Sequence, residues 1–117
     1  MIAANGTARV MVATQPVDFR RGINGLTALV AGALKTDPYC GDLFVFRSKR
    51  SDRLKILVWD GSGMILATKW LEDGRFTWPP IRDGSMHLTP AQFSMLVAGL
   101  DWTRVPERVG RKPLRVA

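Results

Sequence analysis

The residues in this 117-residue chain that are best placed to do chemistry are cations. Arg47, Lys49, Arg50, Arg53 and Lys55 fall within nine residues, opposed only by Asp52. Cations at that density attract polyanions, and a nucleic-acid backbone is the commonest one in a cell. Lys69 and Trp70 extend the set, since an indole face can stack on an unpaired base. A second basic cluster, containing Arg111 and Lys112, lies in residues 104–117. The whole chain carries seventeen Lys+Arg against ten Asp+Glu, a net charge of +7. A solvated charged loop with its tryptophans packed inside would look the same in sequence. Trp78 and Trp102 read as core or subunit contacts.

Catalytic groups are sparse. His87 is the only histidine and Cys40 the only cysteine, which excludes His-pair and thiolate zinc sites. A Cys–His nucleophile pair has no local support. The glycines of Asp60-Gly61-Ser62-Gly63 match no phosphate-binding or dinucleotide fingerprint and read as a hairpin turn. Asp18, Asp60 and Asp101 could form a carboxylate triad for two magnesium ions. Asp18 and Asp60, however, are explained locally as a helix cap and a turn residue. The expectation is a protein that is not an enzyme, with no catalytic residue, cofactor or metal. One cysteine allows no intrachain disulfide and fits a reducing cytoplasm. No apolar run reaches the ~18–20 residues of a membrane span. Nor does the N-terminal stretch resemble a secretory signal. A cytoplasmic location is expected.

The elements that position the cations lie between residues 41 and 79. Leu43–Arg47, Arg53–Asp60 and Met64–Trp70 are rich in Val, Ile, Phe and Trp and predict a three-stranded antiparallel meander. Setting Arg47 opposite Arg53 and Asp60 opposite Gly63 sorts the side chains by parity. Phe44, Phe46, Leu54, Ile56, Val58, Ile65 and Ala67 then form a core face. On the outer face, Arg47, Arg53, Lys55, Thr68 and Trp70 cluster at one end, and Leu43, Val45, Leu57, Trp59, Leu66 and Met64 at the other. Arg9–Thr14 predicts a first strand. Ile23, Leu26, Val30 and Leu34 predict a helix over about 19–35, capped by Asp18, whose Gly22, Gly25 and Gly32 suit close packing against the sheet. Residues 81–87 read as irregular. Thr89, Pro90 and Gln92 announce a second helix through a capping box, with Leu88 and Phe93 as its hydrophobic staple.

The fold class expected is α+β. An antiparallel sheet of about four strands, meander 43–70 included, carries two helices on its apolar face. Residues 1–103 form the single domain, and residues 104–117 a basic tail that is ordered only when it meets a partner.

Four segments carry a family resemblance: PVDFRRGINGL (16–26), DPYCGDLFVFRSKRSDRLKILVWDGSG (37–63), KWLEDGRFTWP (69–79) and LTPAQFSMLVAGLDW (88–102). In this order they resemble the TnpB-type accessory proteins, the second open-reading-frame products of IS sixty-six family insertion sequences. The resemblance covers most of residues 8–102. It implies a bacterial transposon protein encoded beside a larger transposase and needed for efficient transposition. No catalytic residues are established for that family, so none carries over. Two positions depart from its pattern: Trp70 stands where arginine is more usual, and Cys40 where serine is common.

The function expected is a non-catalytic transposition accessory protein. It would contact DNA, including the transposon ends, through Arg47, Lys49, Arg50, Arg53, Lys55, Lys69, Trp70, Arg111 and Lys112. The alternative is a protein-interaction module that binds the transposase or another accessory protein. It predicts an exposed apolar patch of Leu43, Leu57, Trp59, Leu66 and Met64. A nuclease would need divalent-metal-dependent cleavage centred on Asp60.

Overall fold

The computed structural model describes residues 8–105. Val10–Ala13 forms β1, and Ile23–Gly32 forms α1. The meander follows as β2 (Leu43–Arg47), β3 (Arg53–Trp59) and β4 (Met64–Trp70). Ser85–Leu88 forms β5, Pro90–Val97 forms α2, and Trp102–Arg104 closes the described chain as a single 3-10 turn. The sheet order is β4-β3-β2-β1-β5. The predicted meander is present, with β3 ending at Trp59, one residue short of the expected Asp60.

Three features of the expected sheet need correction. The sheet has five strands, because Ser85–Leu88, of which residues 85–87 were expected to be irregular, pairs antiparallel with β1 from Val10↔Leu88 to Ala13↔Ser85. Only Leu88 of this strand is buried, so it shows little apolar signal. The sheet is also mixed, since β1 runs parallel to β2 with Val10 beside Leu43. Parallel neighbours need a long crossover, and α1 supplies it. Finally, the helices lie on opposite faces. Leu26 and Val30 of α1 pack with Phe44, Phe46 and Leu57, whereas Phe93 and Leu96 of α2 pack with Val10, Val12, Leu43, Val45, Leu54, Ile56 and Val58. The central strands are therefore buried on both sides, as the unbroken run Leu43-Phe44-Val45-Phe46 allows.

Register explains the rest of the difference. The turn at Asp60 is as expected, with Trp59 opposite Met64. At the first hairpin Arg47 lies opposite Leu54, one residue from the expected partner. The slip exchanges the faces of β3 and β4 relative to β2. The expected outer apolar patch disappears: Leu43 and Leu57 are buried, and Met64 and Leu66 pack beneath α1.

The helix ends follow local chemistry. α2 begins with the predicted box, where Thr89 Oγ1 accepts from the Gln92 amide and Gln92 Oε1 accepts from the Thr89 amide. Leu88 and Phe93 share its core cluster. α1 starts at Ile23, with Gly22 as a cap that offers no side chain. Asp18 instead closes the preceding turn by accepting from the Arg20 amide at 2.9 Å. The α1 glycines do not serve sheet packing, because a Cβ at Gly22 or Gly32 would meet open space, and one at Gly25 only the Arg21 side chain.

Candidate nucleic-acid interface

The basic segment Ser48–Asp52 joins β2 to β3, and backbone bonds from distant segments hold it in place. The Leu71 amide donates to the Asp52 carbonyl at 2.9 Å, and the Phe76 amide to the Ser51 carbonyl at 2.9 Å. The Trp78 indole N–H also donates to the Ser51 carbonyl, at 3.2 Å. On the other side, the Val17 amide donates to the Arg47 carbonyl at 2.7 Å. Segments 16–21 and 70–79 therefore flank the hairpin loop and fix its direction. Among the described residues, most of the expected DNA-binding side chains gather at this end of the sheet.

Those side chains fall into two groups. Arg47 and Lys55 are turned into the fold. Arg47 Nη1 donates to the Pro79 carbonyl at 3.0 Å and the Thr14 carbonyl at 3.4 Å, with its guanidinium 5.3 Å from the Trp78 ring centre. Burial pushes the Arg47 pKa below its ordinary value. Lys55 Nζ donates to the Phe19 carbonyl at 2.7 Å and the Arg21 carbonyl at 3.3 Å, and lies over the Phe19 ring. Both cations tie segment 14–21 to the sheet, a positioning task.

Lys49 and Arg50 are exposed and point outward, while Arg53 is half-buried with its Nε enclosed. Asp52 lies 3.9 Å from Arg50 Nε and 3.8 Å from Arg53 Nε, too long for direct hydrogen bonds. The Arg53 guanidinium rests 4.8 Å from the ring centre of Trp70, its cross-strand partner. Trp70 is 62% exposed, so one ring face is taken by this chain's own arginine. Two concavities meet at the loop. One, of about 380 Å³, runs between Pro16–Phe19 and Ser48–Arg53. The other, of about 390 Å³, lies between Lys49–Asp52 and Gly74–Arg75.

Sequence reasoning overlooked Arg75, an exposed cation lining the second concavity, and Arg21, an exposed cation whose carbonyl accepts from Lys55. The tight turn Glu72-Asp73-Gly74-Arg75 was the available signal for Arg75. Lys69, by contrast, sits on the opposite face, where its Nζ donates to the Val97 carbonyl at the end of α2 at 2.7 Å. Arg111 and Lys112 lie outside the described residues. Residues 106–117 hold Arg108, Arg111, Lys112 and Arg115 against Glu107, so three of the seven net charges lie there.

The carboxylates do not converge. Among the described residues no three His, Cys, Asp or Glu side chains form a metal-holding group. Asp18 is occupied by Arg20, whose guanidinium donates to it at 2.6 Å. That side-chain bond and the Arg20 amide lower its pKa to about 2. Asp60 accepts from the Ser62 and Gly63 amides and the Ser62 hydroxyl, which holds its carboxyl below the usual range. Asp101 closes the 3-10 turn by accepting from Thr103 and Arg104. Cys40 is exposed, and His87 lies exposed on β5. Among the described residues no helix is long and apolar enough to cross a membrane.

Comparison with known proteins follows the same segments. Residues 8–107 match the family described as IS66 Orf2 like protein. "Uncharacterized protein y4jC" of Sinorhizobium fredii (strain NBRC 101917 / NGR234) is 63% identical over the full length of both chains. "Uncharacterized protein y4hO" of the same strain is 40% identical, over 95% of this chain and 96% of its own. No solved structure matches the chain. The family match takes in all five strands, both helices and the anchored hairpin end, and the chain belongs to the IS66 Orf2-like proteins.

Proposed function

We propose that this protein is a transposition accessory protein of an insertion sequence that contacts the DNA backbone through its anchored hairpin end. The observation that carries the reading is the division of labour among the cations. Arg47 and Lys55 are used inside the fold, while Lys49, Arg50 and Arg75 stand exposed, with the half-buried Arg53 beside them, around a loop held by Leu71, Phe76 and Trp78. A loop fixed in advance loses little conformational freedom on binding. Trp70 serves it by orienting Arg53. Family membership supports the transposition context. The four cations at the hairpin end supply a sequence-independent attraction to the DNA backbone. Contacts of this kind read phosphates, so they give affinity without base preference. The protein would thus load on DNA without chemistry of its own and leave strand transfer to the element's transposase. Cytoplasmic residence follows from that role.

The test is a salt titration of the full chain against two duplexes, one with the element's terminal repeat and one scrambled. Four phosphate contacts give a log–log slope of about −3.6, because each contributes about −0.9. That slope with equal affinity for both duplexes is the expected result. Absence of binding at low salt would overturn the proposal and make the transposase itself the next ligand to assay.

A further inference from the structure

β4 is an edge strand with an open side. Its seven residues, Met64–Trp70, pair with β3 alone. Two bonds bracket that ladder: the Asp60 amide to the Gly63 carbonyl, and the Leu71 amide to the Asp52 carbonyl. Hydrogen-bonded pairs alternate along an antiparallel ladder, so Ile65, Ala67 and Lys69 direct their backbone groups at β3. Met64, Leu66, Thr68 and Trp70 direct theirs outward, where no described residue meets them. Folded proteins ordinarily protect such an edge with proline, a bulge, several charges or a covering segment. This strand has no proline, pairs without interruption along its whole length, and carries one charge, Lys69, already bonded to Val97. Two of the large apolar side chains left exposed, Ile65 at 36% and Trp70 at 62%, lie on it as well.

We infer that β4 pairs antiparallel with β4 of a second copy of this chain, about a two-fold axis at Ala67. This does not rest on DNA contact. The outward backbone groups offer a template for another strand, and the strand's own sequence suits itself in the register that uses all seven residues. Leu66 then exchanges bonds with Thr68 of the second copy, and Met64 with Trp70, each a residue whose groups also point outward. Lys69 faces Ile65 of the second copy, so no like charges meet across the seam. Trp70 gains a methionine beside it, a favourable sulfur–aromatic contact. The Arg53 and Trp70 ends of the two strands lie at opposite ends of the seam. A seven-residue strand spans about 20 Å, which keeps the two basic loops apart despite a charge of +7 on each chain. The two sheets become one continuous ten-stranded sheet, and each surface is used twice, as closed two-fold assembly requires.

The experiment uses the full chain, freed of nucleic acid, in sedimentation equilibrium over a range of concentration. Twice the 13.0 kDa chain mass is expected at the upper concentrations. Cysteine placement then tests the register, with Cys40, which is exposed, first replaced by serine. At the axis, a non-hydrogen-bonded pair has Cα atoms roughly 4.5 Å apart, within disulfide range. Ala67→Cys should therefore give a covalent dimer on mild oxidation, whereas Thr68→Cys, offset along the diagonal by roughly 7–8 Å, should not. Cooperative melting of both variants confirms that they fold. A monomer at all concentrations overturns the inference. So does a dimer in which Ala67→Cys cross-links no better than Thr68→Cys.

Discussion

Two lysines in one basic segment separate positioning from contact. Lys49→Met and Lys55→Met each remove one charge and keep the aliphatic stem. Lys55 loses its bonds to the Phe19 and Arg21 carbonyls and its place over the Phe19 ring. A hydrogen bond to a charged group contributes about 1.5–3 kcal/mol when buried, and less at a partly exposed site such as this one. A loss of about 1–2 kcal/mol is expected, or a fall in Tm of roughly 4–10 °C for a domain of this size. Its salt slope on duplex DNA should stay unchanged, because the ammonium was never free. Lys49 is exposed and has no side-chain partner among the described residues, so its replacement should leave Tm within about 1–2 °C. The slope should instead weaken by about 0.9, from about −3.6 to about −2.7. Between 50 and 200 mM salt, the native chain would lose about 150-fold in affinity and the Lys49 variant about 40-fold. Calorimetry and fluorescence anisotropy on the same preparations read both quantities. A Lys55 variant with native Tm and a weakened slope would refute the division of the cations.

Two further outcomes follow from single residues. Gly99 has φ 79°, and an added Cβ would come within 3.1 Å of a Leu71 methyl, so Gly99→Ala should lower the unfolding free energy by about 1–2 kcal/mol, read as a lower urea midpoint; an unchanged midpoint would show that the α2 exit adapts freely. Asp42 is buried, and burial alone would raise its pKa, but the Arg9 amide, Cys40 and the Arg9 guanidinium together hold it below the ordinary value. A carboxyl depressed in the folded state contributes stability above its unfolded pKa near 3.9 and loses it as pH falls through the folded value. Asp42→Asn should thus be destabilising at pH 7 by a margin that shrinks below about pH 4, read from paired denaturation curves; a margin independent of pH would mean that packing, not ionisation, sets the loss.

Elements with an unambiguous local signature were legible. The three meander strands, the Asp60 turn and the Thr89–Gln92 capping box each follow from a few adjacent residues, and the structure has them where expected. Asp18 shows the limit of such reading. A carboxylate ahead of an apolar stripe suits a helix cap, but the same group satisfies the Arg20 amide in a turn, and the helix starts five residues later. β5 was illegible for another reason: its partner is β1, far away in sequence, and the alternation of Met86 and Leu88 with Ser85 and His87 is too short a run to mark a strand. The basic cluster was visible as charge, but its division was not. Which lysine reaches a backbone carbonyl depends on where segment 14–21 lies, and no spacing within residues 47–55 encodes that.

The one-residue slip at the first hairpin had the largest functional consequence. A five-residue loop does not dictate register as a tight turn does, and here Asp52 and Ser51 are drawn away to bond Leu71 and Phe76. Pairing therefore resumes at Leu54. Had the sheet been covered on one face only, the hydrophobic pattern would have resisted the shift, because one register buries the apolar set and its neighbour exposes it. With a helix on each face, both parities of β2 and β3 can be apolar, as Leu43-Phe44-Val45-Phe46 and Ile56-Leu57-Val58 are. Two-sided burial thus removed the alternation that would have marked an outer face, and the apolar interaction patch imagined there became core. Of the meander's large apolar side chains, Ile65 and Trp70 on the open β4 edge stay exposed. There the backbone itself, rather than a side-chain patch, specifies what can bind.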